Sequence, residues 1–547
     1  MISVFCFLFS AVGKRLRVAA FCLLALVFES SAQTNITPAA FLASQPKPHF
    51  APGHHLPLLS AWSWPFPCDL RVEMAANWGY ALAIDGPLDG GGLQKQLANP
   101  KSVTARCVAL AAQFPDKFKL QVNLDRDFPT DLSDGFYVTN SRGWFVDDHT
   151  NTWQYATNKQ YHRIVSPEGP DSDWIAAAEY WVAPLRTLQS NAPIAIILNG
   201  GEYGLGVTGF DRRAWQFDPR VTAALATNGL SWNRYISNRK AHQLGIVAQA
   251  VRSAVPRRQL YIFYNTGNEQ NRFTRPGYGN WEDGWANWGW ASDVLNAVTD
   301  LPSFENYYRN QSSWTNAAGA KWNQLTDLLT RQLNAVGYNQ AIGATNLSYG
   351  WVCGGWSLKD TNRLADIPRY MGFLKCLYTS GMIGAVAGYF EYPTGTNASI
   401  FGEHGFASSF PATTPPHWLL QIIALAHVHA LFSQTENFLY HGDLLPGPGR
   451  HYLSEDQPAC EFPTGDPAVH VLVRKLRIRD EWLITAWAAD GPDREASVTI
   501  PVLGQVKTLA RASGAVYEAT GVPGHCKLAL MDADGILPTE HLPHSSN

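Results

Sequence analysis

Between residues 56 and 436, short apolar segments alternate with long amphipathic ones, and this pattern predicts an α/β chain built as a (β/α)8 barrel. The strand-like segments are almost continuously apolar: Ile-Ala-Ile-Ile-Leu at 194–198, Leu-Tyr-Ile-Phe-Tyr at 260–264 and Gly-Ala-Val-Ala-Gly-Tyr-Phe at 384–390. Parallel strands buried on both faces have this composition. Near residue 437 the pattern changes to strict alternation, as in Val-His-Val-Leu-Val-Arg from Val469, with turn signals such as Asp490-Gly491-Pro492. That change predicts a small antiparallel β-sandwich over 437–547.

The first strand reads as Leu56–Trp62 and the second as Tyr80–Asp85, followed by a helix over 100–113. The third reads as Lys119–Asp125 with a helix over 172–189, and the fourth as Ile194–Asn199 with a helix over 232–254. The fifth is Leu260–Asn265. The sixth is Ser303–Tyr307, with a helix over 321–336. The seventh is Ala341–Ser348 with a helix over 362–377, and the eighth is Ile383–Phe390 with a helix over 417–432. An open doubly wound sheet is the alternative. It is disfavoured because no Gly-rich phosphate turn follows any strand.

Charge and composition narrow the function classes. The chain has 547 residues, 46% of them hydrophobic and 16% charged, so it can bury a large core and is too apolar to be disordered. Its formal net charge is -3 with no block of like charge, which argues against a nucleic-acid partner. Lys14, Arg15 and Arg17, the apolar run Val18–Phe28 and the small residues Ser30-Ser31-Ala32 read as a cleaved export signal over residues 1–32. The run of eleven residues is too short to span a bilayer. The mature protein is therefore expected to be secreted or periplasmic, with no membrane span and a net charge of -5, because the leader holds three basic residues and one acidic one. Residues 33–55 read as a linker, 56–436 as the barrel and 437–547 as the sandwich.

Six cysteines remain after the leader: Cys68, Cys107, Cys353, Cys376, Cys460 and Cys526. Export permits disulfides among them; Cys460–Cys526 is the preferred pair because both lie in the C-terminal region. No CxxC, HExxH, GxSxG or P-loop occurs, so neither a metal site nor a cofactor is expected. The segment Asp85-Gly-Pro-Leu-Asp-Gly-Gly-Gly reads as a Gly-rich turn rather than a calcium loop.

In a barrel of this kind the chemistry lies at the C-terminal ends of the strands. Asp85 ends the second strand, Asp125 the third, Glu305 the sixth and Glu391 the eighth, and Glu202 follows the fourth in Asn199-Gly-Gly-Glu. Acids beside Tyr, Phe and Trp rings have their charged form disfavoured, which suits a general acid near neutral pH. Cleavage of a glycosidic bond needs such an acid together with a second, ionised carboxylate. The 20 tryptophans fit the same chemistry, since rings on loops above a barrel stack on the apolar faces of sugars. Trp351 and Trp356 after the seventh strand, Trp62 and Trp64 after the first, and Trp281, Trp285, Trp288 and Trp290 after the fifth are the candidates.

A leader, a barrel with glutamates at strand ends and a C-terminal sandwich resemble the clan of retaining (β/α)8 glycoside hydrolases. The resemblance implies an acid/base glutamate after the fourth strand, where Glu202 stands, though without the clan's Asn-Glu dipeptide. It also implies a nucleophile at the end of the seventh strand, where the segment Ala341–Ser348 has no carboxylate. Two countings answer this. In the first, the partner of Glu202 is Glu305 or, second, Glu391. In the second, Leu56–Trp62 is not a barrel strand, Asn268-Glu269 supplies the acid/base, Glu391 is the nucleophile, and Asn437–Tyr440 provides the last strand. The first is preferred. The expected activity is glycoside hydrolysis of a poly- or oligosaccharide, with Asp85, Asp125, Asn199, Tyr307, Trp351 and Trp356 positioning the sugar. A non-catalytic carbohydrate-binding protein, or a lyase or esterase acting on a glycan, is the alternative.

Overall fold

Apolar strands that bury both faces need a layer on each side, and the chain supplies both. The computed structural model describes residues 35–61, 66–86, 88, 91–124, 155–157, 160–162, 168–199, 219–263, 292–308, 313–315, 321–341, 343–354, 367–389, 409–413, 415–447, 461–522, 525–532 and 535–540. Eight parallel strands form two sheets. They are β1 (Ser60–Ala61), β2 (Leu82–Ala83), β3 (Leu120–Asn123), β4 (Ile194–Asn199), β5 (Leu260–Phe263), β6 (Glu305–Tyr308), β7 (Ser348–Gly354) and β8 (Met382–Tyr389). One sheet has the order β2-β3-β4-β5 and the other β1-β8-β7-β6. A parallel bridge between Leu59 and Tyr80 joins them at the β1 and β2 edges, closed by Leu59 N–H to Gly79 O (2.9 Å) and Ala81 N–H to Leu59 O (2.8 Å). No backbone pairing between β5 and β6 occurs among the described residues.

The alternation of side chains shows where the two sheets face each other. Ala81, Ile196, Leu198, Ile262, Tyr349, Trp351 and Val386, drawn from both sheets, form one apolar cluster. Their neighbours Leu82, Val122, Ile197 and Tyr261 pack instead against helices. Those helices are α1 (Cys68–Asn77), α2 (Val103–Gln113), α3 (Asp171–Gln189) and α4 (Trp232–Ala254). Serine caps start two of them: Ser102 Oγ accepts from Ala105 N–H at 3.0 Å, and Ser231 Oγ accepts from Arg234 N–H at 3.4 Å. The second sheet is covered by α5 (Gln324–Ala341), α6 (Ile367–Ser380) and α7 (His417–Ser433), rich in buried leucine and phenylalanine.

Three expectations change here. The seventh strand is Ser348–Gly354, not Ala341–Ser348, because the preceding helix runs on through Ala341 and stops at Gly343, whose φ of 73° needs no Cβ. The expected linker is packed instead: within 33–55, Pro38–Ser44 is a helix whose Phe41 and Leu42 enter the main core. The alternative strand count also loses its basis. Ser60 and Ala61 pair in parallel with Val386 and Ala387, and Asn437–Tyr440 lies in the helix α8 (Glu436–His441).

The C-terminal part is an antiparallel six-stranded sheet. Its strands are β9 (Gly442–Leu444), β10 (Val469–Leu476), β11 (Glu481–Ala488), β14 (Ala515–Thr520), β15 (Lys527–Asp532) and β16 (Gly535–Glu540), paired in that order. A two-stranded ribbon, β12 (Arg494–Ile500) with β13 (Gly504–Ala510), accompanies it. Period-two alternation divides the sheet's side chains between two cores. Val471, Val473, Trp482 and Ile484 meet Val498, Ile500 and Val506 of the ribbon. Leu472, Leu483, Trp487 and Val516 join the core that holds Phe373 and Leu377 of α6. Gly372 is required at this contact, since a Cβ there would strike the Trp487 indole. Trp487 Nε1–H donates to Ala512 O at 3.0 Å and Lys375 Nζ to Gly514 O at 2.7 Å. Cys526 is buried in the ribbon-side core, and Cys460 lies outside the described residues.

A buried histidine makes this architecture sensitive to acid. His429 of α7 accepts from the Tyr378 hydroxyl at Nδ1 (2.8 Å) and donates from Nε2 to Pro57 O (3.0 Å), beside Phe50 and His54. Burial holds its pKa down at about 3, and the neighbouring His54 adds to the effect. An unfolded histidine titrates near 6.5. The stability from keeping His429 neutral is therefore present above pH ~6.5 and is lost as pH falls from there towards 3, amounting to about 4 kcal/mol at the acid end. Denaturation profiles should show a steeper acid loss for the wild type than for His429→Gln. Superposable profiles between pH ~6.5 and ~3 would contradict this assignment.

Candidate functional site

The C-terminal ends of parallel strands open on one side of their sheets, and the alternation decides which residues face the space between them. On β2, Leu82 and Ile84 pack against helices, while Ala81 lies in the inner cluster. Asp85 lies two residues past the end of β2. On β3, Leu120 and Val122 face the helices, which gives Gln121 and Asn123 the inner face. The β2–β3 register pairs Ala83 with Gln121, and the Ile84 N–H donates to Gln121 O at 3.2 Å.

Each of these polar groups is held. Arg71 of α1 is 3% exposed and donates from Nε to Phe66 O (2.8 Å), from Nη1 to Ala83 O (3.0 Å) and from Nη2 to Asp85 Oδ1 (2.6 Å). The Asp85 N–H donates to Thr104 Oγ1 of α2 at 3.2 Å. Two helices thus grip one rim aspartate by its side chain and its backbone. The Gln121 amide is buried and bonds both backbone groups of Ala61, receiving from N–H and donating to O, each at 2.9 Å. Its Nε2 also donates to Asn123 Oδ1 at 2.9 Å, which orients the Asn123 amide at the rim. Below this, Tyr349 OH bonds Ser60 Oγ (2.8 Å) and Leu58 O (2.9 Å) and closes the floor. Burial pushes the Tyr349 hydroxyl well above its ordinary range, so it stays protonated as a donor. These contacts fix the Asp85 carboxylate just past β2 and orient the Asn123 amide at the end of β3.

The expected site residues fall into three groups. Asp85 stands at the rim as described. Asn199 does not join it: Asn199 ends β4 in phase with the helix-facing Ile197, is 3% exposed, and donates from Nδ2 to the buried Tyr261 hydroxyl at 2.9 Å. Trp351 lies within β7 rather than on a loop beyond it, and its ring fills the inner cluster at 5% exposure. Glu305 and Tyr307 are placed by backbone on β6, where Glu305 pairs with Trp351 and Tyr307 with Cys353. Glu305 opens β6 rather than ending it. Glu202, Glu391, Asp125, Trp356, Glu269 and the tryptophans at 62, 64, 281, 285, 288 and 290 lie outside the described residues. Sequence reading missed Asn123, Gln121, Arg71 and Thr104. The alternation Leu-Gln-Val-Asn in the third strand is the signal that identifies the first two. Among the described residues no group of three or more His, Cys, Asp or Glu side chains is placed to hold a metal, and no helix is long and apolar enough to cross a membrane.

No known protein family matches this chain, and no curated protein matches it. Solved structures do match. An α-L-fucosidase from Paenibacillus thiaminolyticus is 11% identical over 62% of this chain and 41% of its own, with a TM-score of 0.33. A GH30 endoxylanase from Clostridium papyrosolvens is 10% identical over 86% of this chain and 98% of its own, with a TM-score of 0.32. A GH36 α-galactosidase from Geobacillus stearothermophilus, in complex with raffinose, is 10% identical over 90% of this chain and 58% of its own, with a TM-score of 0.41. The chain thus spans less than two thirds of the fucosidase and of the α-galactosidase.

Proposed function

We propose that this protein is a secreted or periplasmic glycoside hydrolase that cleaves a poly- or oligosaccharide with two carboxylates. In this reading the eight parallel strands close as a (β/α)8 barrel over about 56–436, and the sheet and ribbon beyond about 437 are a supporting β-sandwich. One observation supports it: β2, β3, β4 and β8 run parallel, and Asp85, gripped by Arg71, stands just past the end of β2. Asp125 follows the last residue of β3 by two positions, Glu202 that of β4 by three, and Glu391 that of β8 by two.

Glu202 is the proposed general acid/base and Glu305 the first-choice nucleophile, with Glu391 second. Asp85 and Asn123 hold sugar hydroxyls, and Asp125, Tyr307 and Trp356 extend the binding surface. The acid protonates the departing glycosidic oxygen while the second carboxylate attacks the anomeric carbon or activates water. The Asp85 carboxylate accepts from Arg71 Nη2 at 2.6 Å. The test is product release from a broad glycan panel, read by reducing ends and product masses. New reducing ends support hydrolysis. Unsaturated products absorbing in the near ultraviolet indicate a lyase, and binding without product indicates a carbohydrate-binding protein.

A further inference from the structure

Cys68 and Cys107 are brought together by the fold although 39 residues separate them in sequence. Cys68 is the first residue of α1 and Cys107 lies in the middle of α2; both are buried, with their Sγ atoms 4.0 Å apart. A disulfide needs about 2 Å between the sulfurs, a closure within reach of side-chain rotation and a slight approach of two packed helices. The flanking residues supply the consequence. Arg71, one turn beyond Cys68, holds the Asp85 carboxylate, and Thr104, one turn before Cys107, holds the Asp85 backbone N–H. The two cysteines therefore lie on the same two helices that grip the rim aspartate.

We propose that Cys68 and Cys107 form a disulfide in the exported protein and that this bond locks the α1–α2 clamp on Asp85. The proposal needs an oxidising compartment and does not depend on the glycosidase reading. The oxidant is a disulfide, either of a thiol–disulfide oxidoreductase or of a small thiol. The Cys68 thiolate attacks one sulfur of that disulfide and releases its first thiolate. Cys107 then loses its proton and attacks Cys68 Sγ, expelling the second thiolate. Two protein thiols and one oxidant disulfide thus become one protein disulfide and two thiols. Cys68 suits the first role. It sits at a helix N-terminus, and the hydrogen bond from Cys107, aided by Arg106 and Arg71, holds its thiol down at about 6 against the opposing effect of burial. The same contact and burial push the Cys107 thiol far up, so it acts second.

The experiment uses the full chain exported into an oxidising compartment and purified without reductant. The protein is unfolded, alkylated without prior reduction, digested and weighed. The expected result is one linked species containing the Cys68 and Cys107 peptides, lighter by two hydrogens than their sum and separated by a phosphine reductant. Reduction should lower the melting temperature by several degrees, as expected for opening a loop of this length, and Cys68→Ser/Cys107→Ser should lose that response. Amide exchange across residues 81–86 should be slower in the oxidised wild type than in the reduced one. Recovery of both peptides fully alkylated after incubation with oxidised glutathione overturns the bond. Equal exchange at 81–86 in linked and reduced protein overturns the clamp.

Discussion

Replacing Glu202 by Gln is expected to lower turnover of a natural glycan about 10²–10⁴-fold while leaving the melting temperature nearly unchanged. Gln has almost the shape of Glu but cannot deliver a proton to the departing oxygen. A substrate with a leaving group that needs no protonation, such as an activated aryl glycoside, should therefore recover much of the first step in this variant. Glu305→Gln should lose activity on both substrates, because the attacking carboxylate is needed whatever departs. If Glu305→Gln retains turnover and Glu391→Gln does not, the nucleophile is Glu391. A large stability loss in Glu202→Gln with unchanged turnover per folded molecule would make Glu202 structural and remove it from the mechanism.

Arg474→Ala should have the largest effect on stability. Arg474 is fully buried on β10 and donates to four carbonyls: Phe438 O from Nε (2.9 Å), Thr379 O from Nη1 (3.3 Å), and Leu439 O (3.2 Å) and Gly442 O (2.9 Å) from Nη2. The Phe438, Leu439 and Thr379 carbonyls lie in the last turns of α8 and α6, where no further helical N–H is available to them, and Gly442 opens β9. One guanidinium thus ties the six-stranded sheet to the helices that cover the parallel strands. Truncation strands several buried acceptors and leaves a cavity, so the expected loss is about 3–5 kcal/mol by chemical denaturation. Arg474→Lys keeps the charge but not the planar fork and should fall between the two. A loss within about 0.5 kcal/mol for Arg474→Ala would mean that the two parts cohere through apolar packing alone.

Local signals in the sequence determined most of the elements. Ile194–Asn199 and Trp232–Ala254 take the bounds expected from the sequence, and most other strand and helix expectations shift by only a few residues. An apolar run bounded by breakers, or a long amphipathic segment of 3.6-residue period, is legible without knowledge of any partner. The change to period-two alternation likewise marks the C-terminal sheet, whose second buried face exists because α6 covers it.

What only the tertiary structure decided was phase, register and company. The seventh strand moved to Ser348–Gly354 because helix α5 continues until Gly343 ends it, and the move takes Trp351 from a loop into the core. Asn199 and Asn123 are both the last residues of their strands, yet alternation turns Asn199 toward the helices and Asn123 toward Gln121. A one-residue difference in phase reverses a side chain's face, and composition does not record phase. Arg71 with Asp85, Gln121 with Ala61 and Cys68 with Cys107 are joined across 14, 60 and 39 residues respectively. Such pairs are set by the packing of helices on sheets, which no local window of the sequence contains.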